Sequence, residues 1–324
     1  MPASARKGLE YIFLLQKNIM STELSVKLCG IVMRNPLILA SGILGVTKAS
    51  LKHIADNGAG AVTMKSISRE PRKGHDPPII LTEGDVMINA VGYSNPGLAE
   101  AKKEFSGLSE VGIPVIASII GENAPEFAHM AKNFLTPEFA AVEIPLSCPH
   151  TPGYGIMGGQ GTPEAAYEIT KAVKSQTKLP VIVKLSASVQ AIGEMAKAAE
   201  KAGADAINVT NTIGPGMMID IKAKKPILGF RFGGLSGPAI KPIAVRCVYD
   251  VYESVKIPII GTGGVTTGEA AAEMLMAGAS AVGVGSAVYY MGAGVFRKIT
   301  EELLAFMKSE GYSGISNMVG LAHD

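Results

Sequence analysis

Eight apolar runs punctuate this chain, and their spacing constrains the fold more than any other feature. They lie at 36–42 (PLILASG), 61–66 (AVTMKS), 115–120 (VIASII), 141–147 (AVEIPLS), 181–187 (VIVKLSA), 206–211 (AINVTN), 258–264 (PIIGTGG) and 281–287 (AVGVGSA). Each run is continuous rather than alternating, as expected for parallel strands covered on both faces. Amphipathic stretches such as PEFAHMAKNFL, AIGEMAKAAEKAG and GEAAAEMLMAGA separate them. EKAG and LMAG mark helix ends, where glycine suits the left-handed residue. Eight strands alternating with helices predict an α/β fold, a (β/α)8 TIM barrel. A doubly wound sheet could carry as many strands, but no strand runs directly into GxGxxG, and GxxxxGK[ST] is absent. Three βα segments are long, at 67–96, 148–162 and 212–238. Long loops over the catalytic face make the walls and lid of a site.

A chain of 324 residues can bury one such barrel or two smaller domains. We read 1–20 as a loosely ordered N-terminal extension and 21–324 as a single barrel domain. The apolar patch Tyr11–Leu15 is too short for a secretory core or a membrane span. Apolar residues at 47% and charged ones at 18% exclude a disordered chain. A net charge of +2 leaves no nucleic-acid footprint. The three cysteines, Cys29, Cys148 and Cys247, are far apart. That argues against a disulfide framework and fits a reducing cytoplasm. With no CxxC pair or Cys/His cluster, no metal or iron–sulfur centre is expected in this chain.

Chemistry collects at the strand ends. Cys148 follows the fourth run, and Pro149 stops the strand there. Catalytic groups of a barrel sit at such a handover, although a lone cysteine also reads as a small buried hydrophobe. GTGG (Gly261–Gly264) and GVGSA (Gly283–Ala287) end the last two strands, where barrels of this kind bind phosphate. Gly263, Gly264 and Gly285 would let backbone N–H groups approach an anion, and Ser286 adds a hydroxyl. Lys65 and Lys184 end two other strands; a lysine in an apolar strand is costly unless something negative meets it. Asn89, in INAVGYSNPG, and Asn211 with Thr212, in VTNTIGPG, offer amide donors and acceptors to a ring bearing C=O and N–H groups. Each of these two is equally a turn cap when taken alone.

Taken together, the motifs resemble the dihydroorotate dehydrogenases, specifically the class 1 catalytic subunits with a cysteine base. The resemblance runs from about Asn35 to about Tyr290. It rests on ASG (Ala40–Gly42), MKS (Met64–Ser66), NAVGYSNPG (Asn89–Gly97), SCP (Ser147–Pro149), VKL (Val183–Leu185), Asn211–Thr212, GGLSGPAIKPIA (Gly233–Ala244), GTGG and GVGSA. It implies an FMN-containing barrel that oxidises dihydroorotate to orotate in pyrimidine biosynthesis. By the same resemblance Ser41, Lys65, Ser66, Ser118, Lys184 and Thr210 line the flavin, and Gly237, Gly263, Gly264, Gly285 and Ser286 hold its phosphate end. Lys65, Asn89, Ala90, Val91, Gly92, Tyr93, Asn211 and Thr212 hold the substrate, and Cys148 is the base. A free thiol titrates near ~8.5, and a nearby lysine brings thiolate within reach of neutral pH. GGLSGPAIKPIA resembles the class 1B branch, whose members pass electrons to a second subunit carrying FAD and a [2Fe–2S] cluster, and then to NAD. A homodimeric core within a hetero-oligomer is implied.

Two positions depart from the family run Asn-x-Ser-Cys-Pro-Asn: Pro145 and His150 stand where asparagines are usual. Proline donates no hydrogen bond, so the ring that such an amide reads is less certain of recognition. SCPH and the following GIMGGQ also resemble dihydropyrimidine dehydrogenase catalytic domains, which leaves a neutral pyrimidine as an alternative substrate. A flavin-binding subunit without turnover is a second alternative, against which Cys148, Lys65 and Asn89 count together.

Overall fold

The computed structural model describes residues 24–146, 161–189 and 191–323. The expected N-terminal extension 1–20 lies outside them. All eight apolar runs contain strands, and these close into a parallel barrel in chain order. The strands are β1 (Leu37–Leu39), β2 (Ala61–Thr63), β3 (Val115–Ser118), β4 (Ala141–Pro145), β5 (Val181–Leu185), β6 (Ala206–Val209), β7 (Ile259–Thr262) and β8 (Ala281–Val284).

Side-chain period explains what fills the barrel. Residues two apart on a strand share a face, so each strand sends alternate side chains to the axis. At the N-terminal end, Ile38, Ile116, Ile182 and Ile260 come from the odd strands, and Ala61, Ala141, Ala206 and Ala281 from the even ones. Alternating large and small side chains fill a narrow circle without voids. Leu28, Ile31 and Met33, from the antiparallel hairpin Val26–Leu28 and Ile31–Met33, pack onto this layer and close that end. Two residues further along the strands the lining turns polar. Glu143 and Asn208 come from the even strands, Ser118, Lys184 and Thr262 from the odd ones, and all are buried.

The outer helices bury one stripe each. Pro163–Lys174 buries Ala166, Ile169, Thr170 and Val173, the spacing of a single helical face. Thr162 caps it by accepting from the Ala165 N–H, and Pro163 opens the first turn. Gly203 and Gly278 follow helices at φ 97° and 117°, as EKAG and LMAG predict.

The long βα segments hold more structure than their sequence suggests. Ile80–Glu83 and Val86–Asn89 form a hairpin in the first, and Ile213–Gly216 and Gly233–Ser236 lie in the third. These pair into one antiparallel sheet in the order 213–216, 233–236, 86–89, 80–83. The sheet roofs the C-terminal end of the barrel. Its strands are short, two of them contain glycine, and the central pairing of Gly233–Ser236 with Val86–Asn89 joins segments more than a hundred residues apart. Local patterning carries no trace of such a pairing. Residues 148–160 of the second long segment lie outside the described residues.

Candidate active site

One cavity of about 1210 Å³, its open mouth included, lies between the C-terminal strand ends and the roofing sheet. Into it the structure brings Ser41, Lys65, Ser66, Lys184, Thr210, Gly263, Gly264, Gly285 and Ser286 of the residues expected to line a flavin. Of those expected to hold substrate it brings Asn89, Val91, Gly92, Tyr93, Asn211 and Thr212, besides Lys65. The strand ends supply the floor, and the roofing sheet carries Asn89 and the turn after it.

Three expected residues do not reach the cavity wall. Ser118 is fully buried and shares a 2.8 Å hydrogen bond with Ser66 Oγ, so it stands behind Ser66. Ala90 points away with Ile88 and Leu228, because its neighbours Asn89 and Val91 take the inward face. Gly237 precedes the turn Pro238–Ile240 at φ 90°, with a Cβ position 2.4 Å from Asp85 O. There it serves a close backbone crossing. Cys148, with Ser147, Pro149 and His150, lies outside the described residues. β4 carries the chain to Pro145, which lines the cavity, and to the buried Leu146, two residues short of that thiol.

Beneath the cavity lies a polar network that sequence reading did not find. Glu143 Oε1 accepts from Ser41 Oγ at 2.6 Å and lies 3.8 Å from Lys184 Nζ. Its Oε2 accepts from Asn208 Nδ2 at 2.6 Å, and Asn208 Oδ1 accepts from Thr262 Oγ1 at 2.7 Å. Lys184 Nζ donates to Ser41 Oγ at 3.2 Å. The side chains of Lys184 and Glu143 are 4% and 2% exposed, and an ion pair that deep needs every remaining polar group satisfied. Each of these groups comes from a different strand or strand end, so the network also pins the barrel's register. The expected negative partner of a strand-end lysine is therefore Glu143. The available signal was a carboxylate inside the apolar run AVEIP.

The backbone of the last two strand ends is open to a ligand. The N–H groups of Gly263, Gly264, Gly285 and Ser286 donate to no described residue. A Cβ on Gly264 would lie 2.6 Å from Lys241 Cβ, so only glycine lets this turn sit against the helix Lys241–Tyr252. Four donors without a partner among the described residues, at the rim of this cavity, form an anion cradle. At the end of the adjacent strand β6, the Asn211 N–H donates to Leu185 O at 2.9 Å, and the Thr212 N–H donates to Asn211 Oδ1 at 2.8 Å.

The two described cysteines have no part in the site. Cys29 sits in the hairpin at the far end, where burial, and then Asp205, push its thiol up to about 12. Cys247 is packed in the helix Lys241–Tyr252, where burial, and then Asp250, push it up to about 11. Both are inert packing thiols at neutral pH.

The dihydroorotate dehydrogenase family model matches residues 23–307. The dihydroorotate dehydrogenase B (NAD(+)) catalytic subunit of Methanothermobacter thermautotrophicus is 48% identical over 303 residues, covering 93% of this chain and 99% of that one. Those of Methanocaldococcus jannaschii and Pyrococcus abyssi are 46% and 48% identical, covering 93% and 92% of this chain and 98% and 99% of theirs. The crystal structure of the Eimeria tenella dihydroorotate dehydrogenase with ferulenol superposes with a TM-score of 0.77 at 23% identity, over 93% of this chain and 88% of that one, a likeness of fold. With a barrel, a cavity and relatives of nearly full length in agreement, this chain belongs to the dihydroorotate dehydrogenase family, on its class 1B catalytic-subunit branch.

Proposed function

We propose that this chain oxidises dihydroorotate to orotate in pyrimidine biosynthesis, with FMN in the cavity, and hands the electrons to a partner subunit. The observation that carries this reading is the composition of the cavity at the C-terminal strand ends. It joins an anion cradle and two lysines at the barrel's strand ends with the amide-bearing turns at Asn89 and Asn211. This donor set fits a flavin nucleotide. The Gly263–Gly264 and Gly285–Ser286 backbone would hold its phosphate, and Ser41, Ser66, Lys184 and Thr210 would meet its ring. When bound, FMN supplies a two-electron hydride acceptor.

This chain's own groups do the rest. Making the C=C bond of orotate removes a hydride from one ring carbon and a proton from its neighbour. Cys148, as thiolate, takes that proton. Lys65 neutralises the substrate carboxylate, and Asn89, Asn211 and Thr212 match the alternating C=O and N–H groups of the ring. Lys184, backed by Glu143, offers positive charge where electron density accumulates. The sparse cysteines support a reducing cytoplasm as the compartment. Among the described residues no helix is long and apolar enough to cross a membrane.

Anaerobic titration tests the reading. Dihydroorotate is expected to bleach the yellow holoprotein, and Cys148→Ala is expected to slow that bleaching by about 10²–10⁴-fold with the flavin still bound. Bleaching by dihydrouracil but not by dihydroorotate would overturn the substrate, and an undiminished rate in Cys148→Ala would overturn the base.

A further inference from the structure

One side chain ties three separate segments together at the cavity roof. The segment 72–79 runs antiparallel to 89–95: Arg72 and Asn95 exchange backbone hydrogen bonds of 2.9 and 3.0 Å, and the Ala90 N–H donates to Ile79 O at 2.8 Å. His75 sits midway. Its backbone N–H donates to Val91 O at 3.1 Å, and its ring Nδ1 lies 3.1 Å from Ala90 O. A carbonyl can only accept, so Nδ1 carries the proton and donates. The ring lies flat on Phe230, with centroids 3.8 Å apart and planes 1° from parallel. Phe230 belongs to the stretch leading into the roof strand Gly233–Ser236, and the adjacent Gly229 N–H donates to Pro78 O at 2.9 Å.

The turn that His75 backs is conformationally demanding. Gly92 has φ 74°, and Tyr93, a residue with a side chain, has φ 56°. Such backbone persists only where its surroundings over-determine it. At Gly92 a Cβ would lie 2.8 Å from both the His75 backbone nitrogen and its ring Cδ2. At Gly74 a Cβ would lie 2.5 Å from Val91 O. The two segments touch backbone to backbone, with the imidazole wedged beside them.

We propose that His75 is a positioning residue, which holds the Asn89–Tyr93 turn in its substrate-binding shape by clamping it to the roof through Phe230. This rests on the reading of that turn as part of the substrate site, where Asn89, Val91, Gly92 and Tyr93 line the cavity. His75 touches no reacting atom; it raises the fraction of molecules whose turn is already formed. Apparent affinity scales with that fraction, so loss of the clamp weakens binding without slowing the chemical step.

The test is orotate binding to the FMN-loaded protein, read by the change in flavin absorbance, together with steady-state kinetics and hydrogen exchange. His75→Phe keeps the stack and loses the donor, whereas His75→Ala loses both. Orotate Kd is expected to rise roughly 5-fold in His75→Phe and roughly 20-fold in His75→Ala. KM for dihydroorotate should rise in step, with kcat and flavin content unchanged. Amide exchange across 89–93 should quicken in the same order. Unchanged Kd and unchanged exchange in His75→Ala would overturn the proposal. So would a fall in kcat at constant KM, which would place the residue in the chemical step. If His75→Ala folds poorly, His75→Phe decides alone, because it preserves the ring packing. Should the wild type not bind orotate at all, the substrate reading falls. Exchange at 89–93 would then still decide whether His75 clamps the turn.

Discussion

At the scale of single residues, the buried pair under the cavity carries the largest stakes. Removing Glu143 leaves the Lys184 ammonium without a counter-charge and strands the Asn208 amide and the Ser41 hydroxyl. Glu143→Ala is expected to cost about 3–5 kcal/mol in a urea melt, the usual consequence of breaking a buried ion pair. Glu143→Gln keeps the shape. If Asn208 turns its amide over, its oxygen can accept from the new side chain while its NH₂ donates to Thr262 Oγ1. The glutamine variant should therefore lose clearly less than the alanine variant, and equal losses would show that the charge alone matters. Pro145 poses the opposite question, since it occupies cavity wall where the family run has an amide. Pro145→Asn is expected to tighten orotate about tenfold, the worth of one well-made hydrogen bond at about 1.4 kcal/mol. An unchanged Kd in a flavin-absorbance titration would mean that this site recognises its ring without that amide. Lys65 and Lys184 were legible because charge inside an apolar run is costly. Glu143 was the missing half of the same argument.

Among the elements, helix termini hold the outer layer in register. Glu302, on the helix Val295–Glu310, accepts from the Gly268 N–H at 2.8 Å and so caps the neighbouring helix Gly268–Met276. Burial alone would raise its carboxyl. The hydrogen bonds from Lys298 and from Gly268, with the Lys298 charge, outweigh burial and hold it below the usual carboxylate range. A carboxyl depressed on folding stabilises the protein above its unfolded value, and that stabilisation is lost as pH falls through the folded value. Glu302→Gln should thus lower stability by about 0.5 kcal/mol at pH 7, a modest sum because the group is well exposed. Thermal melts of variant and wild type should converge on acidification below the carboxylate range; a gap constant with pH would refute the charge argument. The helices and barrel strands were legible from the sequence because their signals are local, a period of 3.6, a continuous apolar run, a cap. The roof was not, since Gly233–Ser236 owes its place to Val86–Asn89 on the far side of four barrel strands.

For the whole molecule, the barrel grades from hydrocarbon at one end to charge at the other, and chemistry is confined to the polar end beneath its roof. No barrel strand runs directly into a dinucleotide turn, and the described residues hold no cluster of metal-binding side chains. If electrons leave through a partner subunit as proposed, the purified chain loaded with FMN is expected to pass electrons from dihydroorotate to an artificial dye but not to NAD⁺. NADH formation should appear only on adding a partner subunit of the FAD and iron–sulfur kind, and full NAD-dependent turnover by the chain alone would sink that expectation. The amino-acid order by itself determined the barrel, its strand count and most of the residues that meet in the cavity, because strand period and turn chemistry act over a few neighbours. Only the tertiary structure decided that Ser118, Ala90 and Gly237 stand behind the wall, that Glu143 answers Lys184, and that His75 braces a turn. Those depend on which side chains from remote segments meet at the same point in space, and closure of the barrel together with pairing of its roof sets that.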